Sequence, residues 1–182
     1  MNALQQQIVF TAASLLCASI GAVHDLRERR IPNRVTAPAM AAGLMMHWIA
    51  GGPRGLADAA LAGLIAGSLF LVFFVAGGMG GGDVKLMAAI GCISGLSHLG
   101  LIVVATAIAG GVFAVAVSLF HGRLRETVHN VGDLLVHYGR RGLKPHPDLN
   151  LANARTLRLP FALPVAAGCL FAVCALVWEV HS

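Results

Sequence analysis

Five stretches of the chain carry no aspartate, glutamate, lysine or arginine: Met1–His24, Val35–Pro53, Ala59–Gly82, Leu86–Gly122 and Leu159–Trp178. A membrane-spanning helix needs about 20 apolar residues, because about 30 Å of hydrocarbon is crossed at about 1.5 Å per residue. The first, third and fifth stretches fit one span each, and Val35–Pro53 is just long enough. Leu86–Gly122 is too long for one span, and Gly95-Leu-Ser-His-Leu-Gly100 supplies a turn that divides it. The pattern predicts an all-α, polytopic membrane protein with about six transmembrane helices. The fourth is short, from about Asp83 to Leu96. Between the last two spans lies a polar segment, about 123–158. Within Arg123–Gly142, Leu124, Val128, Val131 and Leu135 follow helical spacing and Tyr138 extends the stripe, with arginines and histidines on the other face. This predicts an amphipathic helix in the headgroup layer. Lys144-Pro-His-Pro-Asp-Leu-Asn150 reads as a loop by its prolines. The apolar runs fill most of the chain, so residues 1–182 read as a single membrane-embedded domain.

Composition agrees with this pattern. Of 182 residues, 57% are hydrophobic and only 12% are charged, against about 25% charged in soluble domains. The net charge of +5 is mostly a topology signal. The first loop holds Arg27, Arg29, Arg30 and Arg34. The polar segment holds Arg123, Arg125, Arg140, Arg141, Lys144, Arg155 and Arg158, and Lys85 lies beside a glycine tract. In a six-span arrangement all of these fall on one face, and Arg54 alone falls on the other. Positive charge marks the cytoplasmic side, so the polar segment and its amphipathic helix are predicted to be cytoplasmic and both termini to face outward. Attraction to anionic lipid is a secondary reading. Nucleic-acid binding is disfavoured, because no basic patch is interleaved with aromatics. The N-terminal stretch lacks the basic n-region of a signal peptide and exceeds the usual apolar length, so it reads as an uncleaved span. Cys17, Cys92, Cys169 and Cys174 all lie in apolar runs without a C-x-x-C pair and read as small buried hydrophobes. The eight histidines are scattered with no H-E-x-x-H, which argues against a metalloprotease. No metal and no cofactor is expected.

Glycine is dense in the middle spans. Gly63-Leu-Ile-Ala-Gly67 and Gly91-Cys-Ile-Ser-Gly95 permit close helix contact in lipid. Ionisable groups in or beside spans are expensive and point to function. Asp25 ends the first span and Asp83 begins the fourth, after Gly80-Gly-Gly82. Two spans separate them, so they return to the same face. Asp58 falls on the opposite face, and Glu126 and Asp133 sit in the polar segment. Topology therefore selects one pair of carboxylates that can meet at a single depth. Two neighbouring carboxyl groups do not both ionise cheaply: one keeps its proton as an acid, and the other takes a proton from water. Glycine lets backbone approach a substrate closely. Each aspartate alone has a plainer reading: Asp83 as a helix N-cap, and Asp25 as a boundary charge paired with Arg29 at i,i+4. Lys85 reads either as a snorkelling lysine or as a cation that eases the charge of the pair. Ile31-Pro-Asn33 reads as a turn.

Gly80-Gly-Gly-Asp83 matches the G-x-G-D motif of the intramembrane-type aspartyl proteases. The longer run Gly80-Gly-Gly-Asp-Val-Lys-Leu-Met-Ala-Ala-Ile-Gly91 resembles the type IV prepilin peptidase family, with its G-x-G-D-x-K-L followed by alanine and glycine. Asp25 with Ile31-Pro-Asn33 is similar to that family's first catalytic aspartate and the turn that follows it. Leu159-Pro-Phe-Ala-Leu-Pro164 resembles the family's I-P-F-G-P, with the glycine replaced. The resemblance runs from about Ala22 to Pro164. It implies that Asp25 and Asp83 are the catalytic pair, supported by Gly80, Gly82 and Lys85. It implies a prepilin or pilin-like substrate with a basic leader and an apolar helix, cut after a glycine at the cytoplasmic face of a bacterial inner membrane. Larger members carry an N-terminal domain with two C-x-x-C pairs and methylate the new N-terminus. Neither feature stands in this sequence, so the resemblance is to the short peptidase-only branch associated with tight-adherence (Flp) pili, and methyltransferase activity is not expected. Two other readings remain open on the residues: a small transporter or channel with cation-binding aspartates, and an assembly subunit with no active site.

Overall fold

A computed structural model describes residues 3–122, Arg125, Thr127, His129, Asn130, Gly132, Asp133 and residues 160–181. It has four long apolar helices: α1 (Ala3–Glu28), α2 (Asn33–Val75), α3 (Gly81–Phe120) and α4 (Ala162–His181). No strand occurs among the described residues. All four are long and apolar enough to cross a membrane. The chain is therefore all-α, as its pattern predicts, and a membrane protein. Most of the polar segment lies outside the described residues, including its amphipathic stripe and the Lys144–Asn150 loop. The described positions from Arg125 to Asp133 are helical.

The helix count differs from six. α2 has 43 residues and α3 has 40, so each is about twice the length that crosses a bilayer. Each is broken at one glycine: Gly52 has φ 59° and ψ −144°, and Gly95 has φ 69° and ψ 177°. This backbone region is essentially restricted to glycine. The chain folds back at Gly52, which brings Gly55 so close to the His47 carbonyl that a side chain there would strike it. Two helical halves thus join with no intervening loop. The expected second and third spans correspond to 33–51 and 53–75. The expected fourth and fifth correspond to 81–94 and 96–120, with the break at the Gly95 that begins the expected turn.

α3 lies centrally and packs against α1, α2 and α4. Its Leu86, Met87 and Ile90 enter one core with Ala18 and Ala22 of α1, Phe70 of α2, and Val165 and Cys169 of α4. In lipid, helices associate through close packing rather than removal from water, and small residues set the approach. Side chains added at Gly43 or Gly91 would meet backbone of the facing helix at 2.7 and 2.6 Å. Gly63 faces Cys92, and Gly67 faces Ala88. The outer surface is apolar, with Leu16, Leu64, Ile65, Val104, Ile108, Val112 and Phe171 all exposed. Such a belt is an aggregation hazard in water and is matched by a bilayer.

Gly95→Ala and Gly52→Ala separate two costs. Both place a side chain where the backbone disfavours one, at roughly 1–3 kcal/mol. Only Gly95 also lacks room, since a Cβ there would lie 2.7 Å from both Asp58 and His47, whereas Gly52 faces open space. Thermal unfolding in detergent micelles should show the larger loss for Gly95→Ala. Equal losses would contradict the packing around Gly95.

Candidate active site

Four chain segments converge at one end of the bundle: the last turn of α1, the Ile31-Pro32-Asn33 turn, the start of α3 and the start of α4. α1 stops at Glu28 because Arg29 adopts φ 50°, and the Arg29 N–H bonds the Asp25 carbonyl at 2.9 Å. That departure from helical geometry removes the register an Asp25–Arg29 side-chain pair needs. The Asp25 carboxylate instead accepts from the Ala162 N–H of α4 at 3.5 Å. Ala162 begins its helix after Pro160, so its N–H has no carbonyl inside α4 to meet. Ala162 is buried, and its neighbour Phe161 stacks on Phe70 of α2 with centroids 5.6 Å apart.

Asp83 is not itself the N-cap of α3. Gly80 holds that position with φ −81° and ψ 148°, and Asp83 is the third helical residue. Its Oδ2 accepts from the Gly80 N–H at 3.2 Å, while its own N–H bonds the Gly80 carbonyl at 3.1 Å. The carboxylate thus closes the helix start from within the first turn, where the dipole favours negative charge. This occupies one of its two oxygens. Asp83 also lies within electrostatic range of Asp25, and both are half-buried. Leu86, Met87, Ala22 and Ile31, near the two aspartates in sequence, are buried in the core. The charge of Asp25 acts on Asp83, the more so because both are partly withdrawn from water.

Two contacts lock the turn after Asp25 to the helix that carries Asp83. Gly82 packs on Ile31, where a Cβ would lie 3.2 Å from the isoleucine Cβ. Lys85 Nζ donates to Asn33 Oδ1 at 3.0 Å. Lys85 is exposed, so its stem runs along the surface while its head fixes the turn. Asn33 was legible in the sequence only as part of a turn, and Ala162 only as part of a proline-flanked stretch. Asp58 lies away from this group and bonds the Leu96 N–H at 3.0 Å. Among the described residues no group of three or more His, Cys, Asp or Glu is arranged to hold a metal ion. Cys17, Cys92 and Cys169 are buried free thiols, and Cys174 is exposed.

The arrangement contains two half-buried carboxylates and two elements whose backbone is irregular beside them. Comparison with known proteins adds the family. The model of the Type IV leader peptidase family matches residues 10–115, a span that includes Asp25, Asn33, Gly80, Gly82, Asp83 and Lys85. The prepilin leader peptidase/N-methyltransferase of Burkholderia pseudomallei (strain 1026b) is 34% identical over 125 residues, which cover 63% of this chain and 39% of that protein. The protein of the same description from Bacillus subtilis (strain 168) is 36% identical over 117 residues, covering 59% of this chain and 43% of its own length. The chain spans about two-fifths of the length of these curated relatives. No solved structure matches it. With its family model matched over more than half its length, the chain belongs to the type IV leader peptidase family.

Proposed function

We propose that the chain is a membrane aspartyl endopeptidase that removes the leader peptide of type IV prepilins or pilin-like precursors. Asp25 and Asp83 activate water for this reaction at the cytoplasmic face. The observation that carries the reading is the proximity of two carboxylates from α1 and α3 at one end of the bundle, within a chain of the leader peptidase family. In the proposed step one aspartate is ionised and the other protonated. The carboxylate takes a proton from water as the water oxygen attacks the scissile carbonyl, and the protonated partner gives its proton to the carbonyl oxygen. The tetrahedral diol then collapses: one hydroxyl gives its proton to the aspartate that is now ionised, the C–N bond breaks, and the nitrogen leaves with a proton from the aspartate that is now protonated. No metal, cofactor or covalent intermediate enters this scheme.

The basic residues support the cytoplasmic assignment. Arg27, Arg29, Arg30, Arg34 and Lys85 cluster in sequence at the end that holds both aspartates, while Arg54 follows the Gly52 fold-back. The positive-inside rule then puts the aspartates on the cytoplasmic side. A basic leader and an apolar helix suit a site at a membrane boundary, where water is at hand and lipid holds the substrate helix. Only the peptidase half of the relatives' description is carried over, because paired carboxylates account for hydrolysis alone. The single domain of 1–182 is part of the same proposal.

Prepilin cleavage in membranes should be abolished by Asp25→Asn and by Asp83→Asn at equal expression. Asparagine keeps the shape and still accepts a capping hydrogen bond, but it supplies no proton transfer. The wild-type rate should follow a bell-shaped pH profile: acid protonates both groups and removes the base, and alkali ionises both and removes the acid. Retained cleavage in both variants would return the aspartates to a structural role and revive the transporter reading.

Lys85→Met and Asn33→Ala should each slow cleavage by a similar factor, roughly threefold to tenfold, the worth of one solvent-exposed hydrogen bond. The double variant should be no slower than either single one, because both remove the same bond. Multiplying losses would show that Lys85 acts separately from Asn33.

A further inference from the structure

The far end of the half-helix that carries Asp83 is held by two side chains the reaction does not use. Residues 81–94 make a helix about 20 Å long, shorter than the about 30 Å of hydrocarbon. With Asp83 near one surface, the break at Gly95 lies inside the membrane layer. A helix end exposes carbonyls, and a helix start exposes N–H groups. In hydrocarbon neither finds water, so the protein has to supply partners.

It supplies them from the two halves of α2. His47, before the Gly52 fold-back, bonds the Ile93 carbonyl through Nε2 at 3.0 Å. A carbonyl only accepts, so Nε2 carries the hydrogen. Asp58, after the fold-back, accepts the Leu96 N–H through Oδ2 at 3.0 Å. One side chain therefore closes the C-terminus of 81–94, and the other closes the N-terminus of 96–120. The His47 ring is buried and packs against Phe10 of α1 with centroids 4.4 Å apart, so the helix that carries Asp25 also steadies the clamp. The bare Cα of Gly95 fits between them: a Cβ would lie 2.7 Å from Asp58 Oδ2 and from His47 Cε1.

We infer that His47 and Asp58 are positioning residues for the active site, clamping the break in α3 so that the half-helix carrying Asp83 is fixed in depth and rotation against Asp25. The inference rests on the proposed function for its catalytic consequence but not for the clamp itself. A rigid helix of this length transmits displacement at Gly95 to its other end. The close contacts at Gly91 and Gly67 constrain it sideways, the Gly82 and Lys85 contacts hold its start, and the clamp holds its far end.

The test uses the full chain in detergent or nanodiscs, with two readouts. Amide hydrogen exchange across 80–100 reports the half-helix whether or not it cleaves, and prepilin cleavage reports the active site. Asp58→Ala and His47→Ala should speed exchange at 93–97 and at 81–86. They should lower kcat by roughly tenfold or more while KM stays within about threefold. Asp58→Asn still accepts an N–H and His47→Gln still donates to a carbonyl, so both should recover protection and rate. The clamp is overturned if the alanine variants exchange and cut like wild type, or if only 93–97 loosens while 81–86 stays protected. It is also overturned if asparagine and glutamine fare as badly as alanine. Asp83→Asn serves as the comparison. If it still cleaves, the proposed active site fails, and exchange at 81–86 alone decides the clamp.

Discussion

Hydrocarbon offers a polypeptide no hydrogen bonds, so a chain that stops being helical inside a membrane has to meet its own freed N–H and C=O groups. The polar side chains of this protein are distributed accordingly. At Gly95 the freed groups are met by His47 and Asp58. At the start of α3 the Gly80 N–H is met by Asp83. At the start of α4 the Ala162 N–H is met by Asp25. The two aspartates proposed for catalysis thus also satisfy backbone at helix starts. For Asp83 the capping reading and the proposed catalytic one thus rest on the same carboxylate, while Asp25, read from the sequence as a partner of Arg29, meets the Ala162 N–H instead.

The site is assembled from helix ends rather than helix faces. α1, α3 and α4 each bring one terminus, and the Ile31–Asn33 turn ties two of them through Gly82 and Lys85. Helix ends are where backbone departs from regularity without cost to a span. Two half-buried carboxyl groups stand beside this irregular backbone, near a core that includes Leu86, Met87 and Ile31.

Much of this was legible in the sequence because charge is so sparse. Runs without charged residues delimit the apolar segments, and the return of Asp25 and Asp83 to one end follows from counting them. Continuity was not legible: a single glycine with positive φ reverses a helix without the polar loop that usually announces a turn. The sequence marks Gly95 as the start of a turn, whereas at Gly51-Gly52-Pro53 it marks only the end of an apolar run. Partners were the least legible. Asn33 and Lys85 lie 52 residues apart, and His47 lies 46 residues from Ile93. Neither pair has a spacing that pattern or periodicity detects. Asp83 shows a finer limit, because the same residue type serves at the N-cap and at the third helical position, and only the backbone angles of Gly80 decide between them.

The Asp25–Ala162 contact spans 137 positions of sequence. A ribosome delivers α1 to the membrane first and α4 last. Asp25 therefore stays without its backbone donor while α2 and α3 are inserted, and only the arrival of the final helix completes the environment of the first aspartate. Chains released early, lacking α4, carry both carboxylates but not this setting, so the order of synthesis itself withholds the Asp25–Ala162 contact from an unfinished protein.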